Sequence, residues 1–168
     1  NLEIGLAGIL ADANGTGDAG RVDVSATTLT LDDGTISTTT ALNGQAGDVT
    51  VTATDIFVSS SAAIQSAAGD DATGNAGNVT VTATNLLTMA DSATINALTN
   101  GFGNAGQGLV QAGELQMNGG QIVSTTAGAG NAGNVQILAD NATLNDGTVT
   151  SSARAGATGN AGSIDVTI

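Results

Sequence analysis

Valine and isoleucine alternate with threonine and aspartate in short bursts along the whole chain, and nearly every burst is led by a glycine-rich phrase. The plainest case runs from Gly74 to Ala83, GNAGNVTVTA. After its glycine turn, Val79, Val81 and Ala83 alternate with Thr80, Thr82 and Thr84, the period-two pattern of a strand with one buried face. A polar break at Asn85 follows, and Leu87 and Met89 then flank Thr88 in a second strand. Asp91 and Ser92 make the next corner, Ile95 and Ala97 flank Asn96 in a third strand, and Thr99 to Gly103 closes the coil. No segment has the three-to-four spacing of a helix.

The leading phrase returns with variations as GDAGRVDVSA from Gly17, GQAGDVTVTA from Gly44, GNAGQGLVQA from Gly103, GNAGNVQILA from Gly130 and GNAGSIDVTI from Gly159. The first glycines are 27 to 30 residues apart, a period that marks a stacked solenoid. First strands supply Val22 and Val24, Val49 and Val51, Val79 and Val81, Val135 and Ile137, and Ile164 and Val166. Second strands supply Leu29 and Leu31, Ile56 and Val58, Leu115 and Met117, and Ala142 and Leu144. Third strands begin at Ile36, Ile64, Ile95, Ile122 and Val149. With equivalent residues stacked about 4.8 Å apart, the expected fold is all-β: a right-handed parallel β-helix with three short strands per coil and three sheets along the rod.

The glycines that close each phrase, Gly20, Gly47, Gly77, Gly106, Gly133 and Gly162, are expected to supply positive φ at a tight corner. The alanine between the paired glycines should point inward, where only a small group fits. Asn75, Asn104, Asn131 and Asn160 recur at one corner, with Asp18 and Gln45 in their place elsewhere. They form either a ladder of stacked amides or a solvated turn of interchangeable polar residues. In the phrase from Gly103, Gly108 takes the place of an inward valine and Leu109 that of an outward threonine, so a bulge or loosened patch is expected there.

One domain is expected over 1–168: a partial coil over 1–16, coils starting near 17, 44, 74, 103 and 130, and a terminal strand over 159–168. In the partial coil, Leu2 and Ile4 read as a second strand and Ile9 as the start of a third. That makes about six coils and a length of about 29 Å. The ends are in phase and carry no capping element. Two readings stay open, a window cut from a longer rod or a subunit that stacks end to end.

Composition narrows the choice of function. Proline, cysteine, histidine, tryptophan, tyrosine and lysine are all missing, and Arg21 and Arg154 are the only cations against a net charge of −13. Phosphate contacts need cations, so nucleic acid is not an expected partner, and no apolar run is long enough for membrane insertion. Acidity of this kind confers solubility and resistance to bundling. The absence of cysteine removes disulfides and soft-metal sites.

The GNAGNVTVTA phrase, the L-x-L or L-x-M pair and the following DG-T-I or SA-T-I resemble the repeat region of filamentous-haemagglutinin-like adhesins, which leave the cell by two-partner secretion. The resemblance covers almost the whole chain. It implies a right-handed parallel β-helix, an extracellular or cell-surface location, and a role in adhesion, matrix or fibre building, with host or neighbour-cell surface glycans or proteins as partners. It supplies no catalytic residues.

Without histidine or cysteine there is no Ser-His or Cys-His nucleophile. Two neighbouring carboxylates, as in Asp32-Asp33 or Asp70-Asp71, could in principle hydrolyse a glycoside. Yet Phe57 and Phe102 are the only aromatics available to hold a sugar. Asp70 and Asp71 are the candidate calcium ligands, and no other metal or cofactor is expected. Thr50 and Thr52 should stack beneath Thr80 and Thr82, which suggests an ice-binding array, but Asp23, Leu109, Gln136 and Asp165 interrupt it. N-x-T triplets at Asn14, Asn78 and Asn141 are expected by chance in such a composition. The expectation is a non-catalytic structural shaft of an extracellular adhesin or filament. Its alternatives are an end-to-end stacking subunit, a polysaccharide-binding or polysaccharide-processing β-helix, and an ice-binding protein.

Overall fold

The alternating bursts fold into parallel strands stacked coil upon coil, in a computed structural model that describes residues 1–168. In chain order the strands are β1 (Leu2–Ile4), β2 (Gly8–Ala13), β3 (Val22–Ser25), β4 (Thr28–Asp32), β5 (Thr35–Thr40), β6 (Val49–Ser59) and β7 (Ala63–Ala68). They continue with β8 (Val79–Ala90), β9 (Thr94–Thr99), β10 (Gly108–Asn118), β11 (Gln121–Thr126), β12 (Val135–Asn145), β13 (Thr148–Ala153) and β14 (Ile164–Thr167). There is no helix, and the chain is a parallel β-helix of about six turns.

The expected single file is present. Val22, Val49, Val79, Gly108, Val135 and Ile164 are paired neighbour to neighbour. So are Ile9, Ile36, Ile64, Ile95, Ile122 and Val149. Leu2, Leu29, Ile56, Leu87, Leu115 and Ala142 make the third file. These files meet in one core along the rod axis, where most of the large side chains are fully buried. Each such side chain contributes about 1.5–3 kcal/mol by its burial.

The division into sheets differs from the expectation. From β6 onward the first and second strands run on as one strand of 11 or 12 residues, so the rod has two hydrogen-bonded sheets rather than three. The polar step read as a corner is a bend within a continuous ladder. Only in β8 does it carry an extra residue, where the register shifts between Ala53 and Asp55 on one side and between Ala112 and Glu114 on the other. That insertion at Thr84-Asn85 is a β-bulge, which bends a strand without ending its pairing. β3 and β4 alone stay separate, and both pair with β6.

The true corner lies between the wide sheet and the narrow one, and it has two forms. Asp33, Gly119 and Asp146 each turn it as a single residue with positive φ. Ser60-Ser61 and Asp91-Ser92 turn it as pairs with positive φ at both residues, closed by Ala62 N–H donating to Ser59 O and Ala93 N–H to Ala90 O. Two left-handed residues inside such a hydrogen bond make a type I′ turn.

Three further readings need correction. Gly108 sits in register with both Val79 and Val135, with no bulge of its own, because the ladders above and below fix its place. A methyl group added there would meet only Val135 Cγ2 at 4.0 Å. Gly108→Ala is therefore expected to stabilise the rod by about 1 kcal/mol, from a buried methyl and a less flexible unfolded chain. Urea titration checks it; a lower midpoint would mean that the site needs its glycine. Ile164 and Val166, read as core, keep their register but are 46% and 52% exposed, since no strand lies over β14. The corner glycines also depart from expectation, in the site they build.

Candidate functional site

The glycine-rich corner is where the recurring polar residues come together, and its glycines do a different job from the one expected. Positive φ among the glycines occurs at Gly119 and Gly156, not at Gly20, Gly47, Gly77, Gly106, Gly133 or Gly162. What those corners require, at every one except Gly20, is close approach. A Cβ on Gly77 would fall closer than 3.0 Å to the carbonyl of Gly47 in the coil beneath, and the same holds for Gly106 over Gly77 and Gly133 over Gly106. The leading glycines form a second such file through Gly44, Gly74, Gly103, Gly130 and Gly159. The hydrogen standing where Cβ would be points at a carbonyl oxygen, the geometry of a weak Cα–H···O contact.

Backbones in such contact allow side chains to bridge coils. The Asn75 backbone N–H donates to Gln45 Oε1 at 2.9 Å, Asn104 N–H to Asn75 Oδ1 at 2.7 Å, Asn131 N–H to Asn104 Oδ1 at 2.8 Å and Asn160 N–H to Asn131 Oδ1 at 2.9 Å. Gln45 N–H donates to Asp18 Oδ1 at 2.7 Å and starts the series. In return, Ala46 N–H donates to Asn75 O and Ala76 N–H to Asn104 O. Each of the two readings left open holds in part: a ladder forms, but its donors are backbone N–H groups, its rungs are exposed, and it needs only a side-chain oxygen at each rung. That explains why aspartate and glutamine substitute for asparagine.

A second ladder runs three residues further on, where Asn78 N–H donates to Asp48 Oδ1, Gln107 N–H to Asn78 Oδ1 and Ser163 N–H to Asn134 Oδ1. Sequence reasoning missed it. Its signal was the acceptor side chain that follows the second glycine in most phrases.

Inside the corner a third element was also missed. Ser66, Ser124 and Ser151 occupy inward positions on β7, β11 and β13, where apolar residues are the rule. Each hydroxyl is clasped between coils. Ser124 Oγ donates to Gly106 O at 3.0 Å and accepts from Gly133 N–H at 2.8 Å; Ser151 bridges Gly133 O and Gly162 N–H in the same way. Thr38 and Ser66 both donate to Gly47 O. Ser124→Ala strands a buried N–H and a buried carbonyl, and is expected to cost about 1–3 kcal/mol. A urea midpoint equal to the parent's would mean that these bonds contribute nothing. Ala97 holds the corresponding place on β9, in register with Ser66 and Ser124.

The chemistry of this corner is cohesive. Ser124 and Ser151 already make two hydrogen bonds each and Ser66 three, and no histidine, cysteine or lysine exists to act as a base. Asp70 and Asp71 are exposed in the turn after β7, and no cluster of three metal-ligating side chains forms anywhere. Phe57 faces outward on the wide sheet, whereas Phe102 is exposed in the loop after β9, so the two aromatics share no platform. The surface depressions are open. The largest, about 540 Å3, lies along the bend of the wide sheet beside Thr82, Gln111, Gly113 and Asp140. No helix is long and apolar enough to cross a membrane. No family model, no curated protein and no solved structure matches the chain.

Proposed function

We propose that this chain is a non-catalytic shaft segment of a secreted or cell-surface adhesin or extracellular filament. The observation that carries the reading is that its recurring polar residues bond coil to coil instead of converging on a cleft. One unbroken side-chain ladder and two glycine files bind each coil to the next, and a second ladder adds bonds at three of the steps, so the repeat adds length while keeping one cross-section. The likeness of GNAGNVTVTA and the strands that follow it to filamentous-haemagglutinin-like repeats supports the adhesin setting and export from the cell. Rods of this kind hold a binding tip away from a surface, or build a matrix.

The test joins two copies in tandem, Ile168 to Asn1. Electron microscopy should find a straight rod about 58 Å long, twice the single length at equal width. Two particles linked by a flexible joint would refute the shaft. Incubation with acidic and neutral glycans covers the enzyme alternative, since release of reducing ends would contradict a non-catalytic role.

A second reading, end-to-end stacking of separate copies, is favoured by one observation. Ile164, Val166 and Ile168 are exposed beside the strand edge of β14, in line with the columns beneath. Filaments formed by the 168-residue chain alone would establish it.

A further inference from the structure

The charges of this rod are not spread evenly around it. The narrow sheet is built from β2, β5, β7, β9, β11 and β13, and along each strand alternate residues face outward. Thr35, Gln65, Thr94, Asn96, Leu98 and Val123 are typical of that outer face. Of the 15 acidic residues in the chain, Asp12 alone stands on it, at the end strand β2. The others lie on the wide sheet, as Asp23, Asp55, Glu114 and Asp165 do, or at the corners. Asp33, Asp91 and Asp146 rim one long edge of the neutral face, and Asp70 and Asp71 lie beyond the other.

Longer side chains cover shorter ones on this face: Ser37, between Leu10 and Gln65, and Thr125, beside Leu98, point outward yet are only 2% and 5% exposed. A depression of about 450 Å3 lies at its β2 end, beside Leu10, Ser37 and Gln65. An uncharged centre inside a charged rim has the anatomy of a contact surface, in which charge is depleted from the middle.

We propose that this outer face is a lateral contact with a second copy of the same chain, the two rods lying side by side with their narrow sheets face to face. Charge selects the partner and the face together. Two molecules of net charge −13 that meet on any other side bring carboxylates into apposition, whereas here they meet over hydroxyls, amides and aliphatic groups. Each hydroxyl and amide is both donor and acceptor, so the surface is self-complementary, as a two-fold contact requires. Sheets stacked face to face pack about 10 Å apart. Six strands of six residues cover about 20 by 29 Å, so pairing buries about 1,150 Å2 over both copies. That is just above the roughly 1,000 Å2 of a specific contact. The pairing is therefore weak for six coils and strengthens with every coil added. The inference does not depend on the shaft reading.

Sedimentation velocity of the 168-residue chain, from micromolar to millimolar concentration at low and high salt, tests it. Dimers are expected at the upper end. Their dissociation constant should fall on the order of ten-fold at high salt, as the rim carboxylates are screened. Leu10→Asp combined with Gln121→Asp, both at exposed positions of this face and on strands that do not pair, should abolish the dimer with little change in melting temperature. Thr88→Asp, on the outer face of the wide sheet, and Val166→Asp, on the last strand, should leave it intact. A chain that stays monomeric at high salt overturns the proposal. So does a dimer that survives the charged face, or one that Val166→Asp destroys, the last result pointing to end-on stacking.

Discussion

Gly77→Ala is expected to destabilise the rod by about 3–5 kcal/mol, although alanine is the smallest change available. The new methyl would fall closer than 3.0 Å to the Gly47 carbonyl and would also meet the backbone at Asp48. Backbone cannot swing away as a side chain does. The coils would have to part at this corner, and the hydrogen bonds on either side, Asn75 N–H to Gln45 and Asn78 N–H to Asp48, would stretch or break. Overpacking costs about 1–3 kcal/mol, and each weakened hydrogen bond adds about 1 kcal/mol. The control is built into the chain. Gly20 occupies the same place in its phrase, but a Cβ there would meet only Ala11 Cβ at 3.5 Å, an ordinary contact. Gly20→Ala should therefore be tolerated. Because neither glycine has positive φ, a conformational explanation predicts no difference between the two variants. Urea melts of the pair decide the point, and equal stability would remove close approach as the reason for the glycines.

The second large effect is expected from Ile95→Asp. Ile95 is 1% exposed and stands in file between Ile64 and Ile122 near the middle of the rod. Removing its side chain costs about 2–5 kcal/mol as a cavity. Placing a carboxylate in that cavity adds several kcal/mol more, because no cation exists near the core to pair with it: Arg21 and Arg154 are both exposed. The sum reaches the whole stability of an ordinary domain, about 5–15 kcal/mol. Far-ultraviolet circular dichroism should lose its strand signal, or retain only the part contributed by coils remote from β9. A variant that melts within a degree or two of the parent would contradict the inward assignment of the third strand.

How legible this was depended on what each residue type can signal alone. Val79-Thr80-Val81-Thr82 announces both a strand and its buried face, because β-branched residues at period two have few other uses. Five valine and isoleucine positions, each at the same place after a glycine phrase, then fix the register of the whole file. Glycine is ambiguous. Positive φ and close approach both demand it, and only the stacking of Gly77 over Gly47 separates the two. Asn85 read as a corner because a polar break between apolar pairs usually is one; hydrogen bonding to strands on both sides carries β8 through it.

At Gly108 the same neighbours impose order where the isolated residue suggested disorder. For Ile164 and Val166 the pattern was right about direction, but burial depends on a covering strand that the pattern cannot supply. The asparagine ladder was visible as a possibility and the serine clasp was not. An inward serine looks like a lapse in alternation until the Gly106 carbonyl and Gly133 N–H beside Ser124 are known.

Distance along the chain becomes height along one axis in this fold, and spin-label distances measure that directly. Cysteine can be placed at Asp23, Thr50, Gln136 and Asp165, all on one outward file of a chain that has no cysteine of its own. Electron–electron resonance should give about 19 Å for positions 23 and 136, about 19 Å for 50 and 165, and about 24 Å for 23 and 165, a step of about 4.8 Å per coil. Equal values for the first two pairs, and one added step for the third, are the predicted result. Distances that fail to rise by one coil's height from either four-coil pair to the five-coil pair would contradict the stacked-coil structure.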